Sequence, residues 1–552
     1  MVLQALLRNH EWLDMAMSPD VAVAAAAAAA ALGFLVVSVW LYVATRGEKL
    51  NEGNGLRKIH VPPGTLPLLG NTFDFLRHRH HRQDWLASLA EHYKGEPFVL
   101  RGPGRPPGVF VSTVEAFEDV LKTQFDRFPK GPAQNGILRD FLGHGIFAVD
   151  GHRWLHQRKT GSHLFTAKAL RDTMTTVMRK HSETLLRLLQ DAMTKDTTLD
   201  LFRLLNRFTI EAFAEIGFGI QMNCLESEQE HPFQQAFDSA QRHVALRFQR
   251  PAWYWKLQRL LGVGNEAQLA RDIQVINTTV LDIIAQSLQR RQHQHQYQQP
   301  QQQQQRKHSD GEAQGIVSLF LDRFDASKAA GDTSEFDPVY LRDIVVNFLI
   351  AGRDTTAQAM SWLFLRLNQN PRVTAKIRDE IRQKIPHLMD GSSFQTPTME
   401  EVQQLTYLEA ALRETLRLHP SVPVTPKQAT EDTVLCDGTL IRKGWYVVMS
   451  AFALGRMPHV WGADARVFRP ERWIDESSGK LRTVSAYQFI AFSAGPRTCL
   501  GMNLALLEMK IVVASVLSRF ELALVEGQDI TYDNSLTLPI RGAMQIHVGP
   551  AA

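Results

Sequence analysis

The chain of 552 residues carries 61 Lys and Arg against 57 Asp and Glu, a net charge of +4, with 44% hydrophobic and 21% charged residues. That balance excludes a wholly disordered chain, and so small a positive excess gives no reason to expect nucleic acid as a partner. Cys224, Cys436 and Cys499 are the only cysteines, too few and too far apart for a disulfide framework or a zinc ribbon, which fits a reducing compartment.

Residues 21–44 contain no charged residue, which is long enough to cross a bilayer. Glu11, Asp14 and Asp20 precede this run, and Arg46, Lys49, Arg57 and Lys58 follow it. The positive-inside rule then leaves the rest of the chain in the cytosol. A cleaved signal peptide is the alternative, disfavoured by the length of the run. The predicted organisation is therefore an anchor over 1–50, a proline-rich hinge over 51–75 containing Val61-Pro62-Pro63-Gly64, and a globule over 76–552. Arg77-His78-Arg79-His80-His81-Arg82 reads as a solvated basic patch that also suits anionic lipid.

Pro97–Arg101 and Val109–Ser112, parted by Gly and Pro, predict a β-hairpin, and a helix from about Val114 to Lys122 follows. Trp154 and Arg158 are four apart, so they share one helix face. Thr209 to Gly219 ends a helix at glycines. Residues 286–314, with Gln301 to Gln305 as pure glutamine, are low-complexity and predict a disordered surface insertion.

Asp337-Pro338 and Asn370-Pro371 bracket one helix of about 33 residues, roughly 50 Å long. Its middle reads Ala351-Gly352-Arg353-Asp354-Thr355-Thr356. Glycine and β-branched residues there lower helix stability, and such a local cost points to function. An acid and an alcohol side by side can pass protons toward a bound oxygen; the bland alternative is threonines bonding back to helix carbonyls. Glu414 and Arg417 lie at i and i+3 in a helix closed by Pro420, flanked by leucines that imply burial. Asp437-Gly438 marks a hairpin, and Ile530 to Val548 alternates like strands.

Last comes Phe492-Ser493-Ala494-Gly495-Pro496-Arg497-Thr498-Cys499-Leu500-Gly501, followed by an apolar run to Phe520. Cys499 sits at the mouth of a buried helix, where free N–H groups favour a thiolate. Gly495 and Gly501 allow close approach of a flat ligand. The arrangement suits thiolate ligation of haem iron.

This decapeptide resembles the signature of the cytochrome P450 family. Trp154-x-x-x-Arg158, Ala351-Gly352-x-Asp354-Thr355, Glu414-x-x-Arg417 and Phe468-Arg469-Pro470-Glu471-Arg472 resemble its other motifs, in the family's order. The resemblance is closest to the membrane-bound branch of plant and fungal fatty-acid and alkane ω-hydroxylases, through Leu142 to Gly151, His156-Gln157-Arg158-Lys159, Ala214 to Gly219 and Gly455-Arg456-Met457. It implies a mainly α fold with small β-sheets behind the membrane helix. It further implies haem b on Cys499 as iron ligand, with Phe492, Gly495 and Gly501 in the ligand loop. Arg497, Trp154 and Arg158 would face the haem propionates, Glu414, Arg417 and Arg472 would scaffold the loop, and Asp354 and Thr355 would manage protons. Two positions depart from the pattern. Lys427 stands where many relatives direct an arginine or histidine at a propionate, and Ala351 stands where animal fatty-acid hydroxylases often carry a glutamate esterified to the haem.

The activity implied is O2-dependent hydroxylation of a lipophilic substrate at the endoplasmic reticulum membrane, with NADPH as electron source. No flavin or nicotinamide fingerprint occurs, so a separate NADPH–cytochrome P450 reductase would dock on basic residues such as Arg153, Lys159 and Lys510. Phe141, Phe147, Phe348, Ala351, Val422, Val424 and Leu538 are the apolar candidates for the substrate pocket, with Phe141, Phe147 and Phe348 as its constriction. A sterol or phenolic monooxygenase, and a haem-thiolate isomerase or dehydratase acting on a peroxide, are the rival enzymes.

Overall fold

The computed structural model describes residues 30–33, 36–37, 56–67, 69–227, 229–297, 315–329, 338–390 and 394–551. Most of the predicted membrane run lies outside them, and among the described residues no helix is long and apolar enough to cross a membrane. The helices that build the site are α1 (Thr72–Arg77), α2 (Arg82–His92), α3 (Pro132–Leu142), α4 (Gly151–Ser162), α5 (Thr175–Lys195), α6 (Leu201–Phe218), α7 (Pro232–Arg247), α8 (Gly264–Tyr297), α9 (Pro338–Gln369), α10 (Thr406–Leu418) and α11 (Met502–Leu517).

The long helix predicted between Asp337 and Asn370 is α9, and nearly all of it is buried. Apolar residues are spread round the helix rather than along one stripe, so it gains by being surrounded. The charged and amide side chains buried with them, such as Arg342, Asn347, Arg353 and Gln358, have partners. The glycine in its middle has a packing cause: a Cβ on Gly352 would lie 2.1 Å from the Phe213 ring of α6. Its helix cost therefore brings α6 and α9 together.

One sheet has the order β1 (Phe98–Leu100), β2 (Gly108–Val111), β4 (Tyr446–Ser450), β3 (Val424–Gln428). The predicted hairpin is β1–β2, with Phe98 opposite Phe110. β2 and β4 are parallel, Val109 opposite Val447, and the chain between them contains most of the helices. A second sheet pairs β5 (Phe520–Leu524) with β6 (Gln545–Pro550). The tail is less regular than its alternation predicts: Tyr532 and Ile540 form only an isolated bridge. Residues 530–540 are instead drawn into contacts with other elements, as where Trp362 donates to the Leu538 carbonyl at 2.9 Å.

Three boundaries differ from expectation. The described part of the 51–75 stretch is docked: Ile59 is buried, and His60 exchanges backbone hydrogen bonds with Pro97 and Val99 at 3.0 and 2.8 Å. The predicted helix over 114–122 is α-helical to Glu118 and continues as one π-turn to Thr123. The insertion read over 286–314 is overturned at its start, where α8 continues to Tyr297; residues 298–314 lie outside the described residues. Ser287 donates to the Phe218 carbonyl and Arg291 pairs with Asp322 at 2.6 Å, so these residues still have partners despite their composition.

Candidate functional site

The loop ahead of α11 is shaped by Ser493 and Gly495, both with left-handed backbone (φ 59° and 66°). A Cβ on Gly495 would meet the Leu121 carbonyl oxygen at 2.2 Å, so the turn needs glycine there. Gly501 is different: a Cβ would meet Phe165 no closer than 3.6 Å, and the protein does not itself demand glycine. The Cys499 N–H donates to the Phe492 carbonyl at 2.8 Å, holding the thiol three residues ahead of α11.

Cys499 is exposed in the sense that solvent can reach it, yet enough protein surrounds it that desolvation pushes its thiol up. The Gly501 N–H and the Arg158 guanidinium pull the other way. The donors expected at a helix terminus are thus in place, but burial outweighs them. Cys499 still differs from the other two cysteines. Burial and then Glu211 push Cys224 up to about 12, and burial, Asp119, Asp437 and Glu115 raise Cys436. Only Cys499 has no carboxylate opposing its ionisation.

Cations gather beside it. The Arg497 guanidinium lies 4.4 Å over the Trp154 ring and donates to Asp150 at 2.6 Å and the Val149 carbonyl at 3.1 Å. Arg158, one turn along α4 from Trp154, donates to the Thr498 carbonyl at 2.7 Å. Lys427 on β3 is 2% exposed, and its Nζ has no hydrogen-bond partner among the described residues. Burial first, then repulsion from Lys130 and Arg497, pushes it down to about 6. Lys130 is likewise pushed down, to about 8. Arg497 Nε is also buried without a partner. Asp150 is the acid that counters this cluster, and a half-open cavity of about 420 Å³ lined by Phe125, Asp150, Trp154 and Arg497 adjoins it.

Buried cations so poorly compensated are costly unless an anion meets them. An apolar wall, an exposed thiol and surplus positive charge together fit a flat group with a metal at its centre and carboxylates at its edge, which is haem. Lys427 belongs to this cluster although the sequence marks it as a departure. Lys130 escaped notice there; its only signal is a single charge inside Phe128-Pro129-Lys130-Gly131-Pro132.

The sequence model of the family described as Cytochrome P450 matches residues 61–545. The chain belongs to the cytochrome P450 family. Cytochrome P450 704B1 of Arabidopsis thaliana is 33% identical over 538 residues, covering 93% of this chain and 98% of that protein. Cytochrome P450 94A2 of Vicia sativa is 32% identical over 518 residues, 92% of this chain and 95% of its own, and Cytochrome P450 704C1 of Pinus taeda is 32% identical over 520 residues, 91% and 93%. The protein is accordingly a P450 monooxygenase that uses thiolate-ligated haem, O2, a redox partner and a lipophilic substrate.

Other P450 motifs can now be placed. Glu414 is fully buried and accepts from Arg417 at 2.7 and 2.8 Å, Arg472 at 2.9 Å, the Arg469 N–H at 2.8 Å and Trp473 Nε1 at 2.9 Å. Trp473 was not legible as a member of this network. Asp354 and Thr355 are adjacent but face different partners. Thr355 Oγ1 donates back to the Ala351 carbonyl at 2.7 Å, the geometry of the bland alternative. Asp354 is 2% exposed and turned toward α7, accepting from Arg353 at 2.9 Å and Gln241 at 2.6 Å. Desolvation pushes it up to about 6, against the pull of Arg353.

Ala351, Gly352 and Thr355 form the half-accessible strip in the middle of the otherwise buried α9. Of the aromatics expected to constrict the pocket, Phe141 is fully buried against Phe237, and Phe348 is buried against Phe320 and Gly161. Both are core residues, because apolar character alone does not distinguish a cavity wall from an interior contact. Leu538 is also buried. Phe147, Val422 and Val424 retain accessible surface. Arg153 and Lys159 are exposed, but Lys510 is buried and paired with Glu409, so it offers no surface for a redox partner.

Proposed function

We propose that this P450 hydroxylates a long-chain fatty acid at or near its ω end, taking electrons from NADPH through NADPH–cytochrome P450 reductase. The accessible strip of α9 carries the reading: Ala351, Gly352 and Thr355 offer methyl and backbone surface with one hydroxyl, which suits methylene groups at ~0.8 kcal/mol each. The resemblance of Leu142 to Gly151 and Ala214 to Gly219 to the ω-hydroxylase branch supports it.

In this reading the Cys499 thiolate would hold the haem iron, and Phe492 and Gly495 would hold its loop, with Gly501 at the α11 cap. Arg497, Trp154, Arg158, Lys130 and Lys427 neutralise the propionates, and Glu414, Arg417 and Arg472 keep the loop in register with α10. Bound haem supplies oxygen activation. Thr355 would supply its hydroxyl hydrogen on the substrate side by releasing the Ala351 carbonyl, and Asp354, held toward α7 by Gln241 and Arg353, would replenish that proton only after turning back toward Thr355. Phe147, Ala351, Val422 and Val424 line the chain's path.

Residues 21–44 anchor the protein in the endoplasmic reticulum membrane as a single pass with the catalytic domain cytosolic, supported by the charge distribution around that run. Phe73 and Leu76, both 58% exposed next to the Arg77–Arg82 basic patch, add lipid-compatible surface. Deleting residues 1–44 should therefore release the protein from membranes only in part; full release in low salt would leave the run as the sole contact.

Cys499→Ser should abolish the thiolate-type spectrum of the reduced carbon monoxide complex, because a hydroxyl is a much weaker donor to iron. Thr355→Ala should retain haem but send electrons into peroxide; unchanged coupling removes Thr355 from proton delivery. The substrate reading is tested by reconstitution with reductase, NADPH and a panel of fatty acids, alkanes, sterols and phenolics. Turnover of a sterol or phenolic with none of the aliphatic chains would reject it.

A further inference from the structure

Asp354 belongs to a buried charged cluster that extends onto a second helix. Arg353 is 1% exposed, and its Nη1 donates both to Asp354 at 2.9 Å and to Asp238 on α7 at 2.6 Å. Gln241, one turn further along α7, donates to the other Asp354 oxygen at 2.6 Å. Phe237 lies 5.6 Å beneath the Arg353 guanidinium. Both oxygens of Asp354 are therefore occupied, one by α9's own arginine and one by α7.

Two features point beyond packing. One guanidinium stands between two carboxylates, so with both ionised the cluster has a net negative charge in a desolvated place and readily holds one proton. Gln241 Oε1 and Arg353 Nε are buried without partners among the described residues, leaving unused acceptor and donor capacity beside the acid. Asp238, 32% exposed, connects this interior to solvent.

We propose that Asp238 and Gln241 are positioning residues for proton delivery: through Arg353 they set the place and charge of the Asp354 carboxyl, coupling α7 to the proton supply of the reaction. This rests on the reading that Asp354 carries protons. When Arg353 is shared between the two carboxylates, each is only partly neutralised and Asp354 more readily holds a proton. When Arg353 pairs with Asp354 alone, the carboxylate is locked in its ionised form. Groups acting on Asp354 are Arg353 on α9, Asp238 and Gln241 on α7, and Glu230 ahead of α7 through its attraction for Arg353.

The test uses the full-length haem-loaded protein and the variants Asp238→Asn, Asp238→Glu, Gln241→Leu and Asp354→Asn. In oxidised protein without turnover, infrared difference spectra report the protonated-carboxyl band, assigned to Asp354 by its loss in Asp354→Asn. Asp238→Asn should lower the pH midpoint of that band by about one unit, so about tenfold less of the acid is protonated at neutral pH. The peroxide share of NADPH oxidation should rise in parallel, with the carbon monoxide spectrum and substrate affinity retained. Asp238→Glu should restore both. Gln241→Leu, independent of any folding defect in the first variant, removes a donor to the ionised carboxylate and so should raise the midpoint, while displacing the carboxyl should again raise peroxide. If Asp354→Asn uncouples turnover while Asp238→Asn and Gln241→Leu leave midpoint and coupling unchanged, the positioning role is wrong and the proton-carrying role of Asp354 stands. If Asp354→Asn itself leaves coupling unchanged, both fall.

Discussion

Lys427 shows how one side chain can be read against its surroundings. A buried ammonium pushed down to about 6 with no partner on Nζ weakens the fold unless an anion arrives, so replacing it should affect the haem-free and haem-bound proteins in opposite directions. Lys427→Met is expected to raise the melting temperature of the haem-free protein, since an apolar chain of similar length removes the desolvation cost. It should also speed haem transfer to excess apomyoglobin by about tenfold, the worth of one charge-assisted hydrogen bond. A variant whose haem leaves no faster than that of the parent would exclude Lys427 from the propionate contacts.

Between elements, the contact of α6 with α9 turns on the absence of a side chain. Gly352→Ala drives a methyl into Phe213 and should cost ~1–3 kcal/mol in denaturant unfolding. Adding Phe213→Leu should recover part of that loss; strictly additive effects of the pair would show that Phe213 is not the obstacle. The link between α10 and the loop at Arg469–Trp473 depends on charge. Glu414 accepts from Arg417, Arg472, Arg469 and Trp473, and Glu414→Gln removes the carboxylate that the two buried guanidinium groups share. Arg417 then has no carboxylate partner among the described residues, while Arg472 keeps only Asp464. Breaking such a network costs ~3–5 kcal/mol, so the variant should accumulate without a Soret band, and normal haem incorporation would contradict this.

For the molecule as a whole, Glu508 on α11 links stability to pH. It is 6% exposed, and burial alone pushes it up to about 8, far above the unfolded value of about 4.3. A raised carboxyl favours the fold while protonated. That contribution is complete below the unfolded value and is lost as pH climbs through the folded one. Glu508→Gln, which keeps the neutral form at every pH, should leave the melting temperature unchanged near pH 4.5 and raise it by a few degrees above pH 8. An equal difference at both ends would mean that the ionisation of Glu508 is not coupled to folding.

Local chemistry made much of this protein readable before any coordinates. The length of α9, the β1–β2 hairpin and the place of Cys499 before a buried helix follow from periodicity, turn residues and short-range spacing, which act within a few residues of one another, and the family motifs are legible as a resemblance. Burial and partnership do not. Phe141 and Phe348 look like pocket walls until α7 and the helix over Ile316–Ala329 are packed against them. Lys510 looks like a docking residue until Glu409 reaches it. Asp354 and Thr355 look like one pair until Arg353, Asp238 and Gln241 draw the acid away. Each of these outcomes is set by a partner at least 28 residues distant in sequence or by the competition between desolvation and charge, and only the packed chain decides which contact is made.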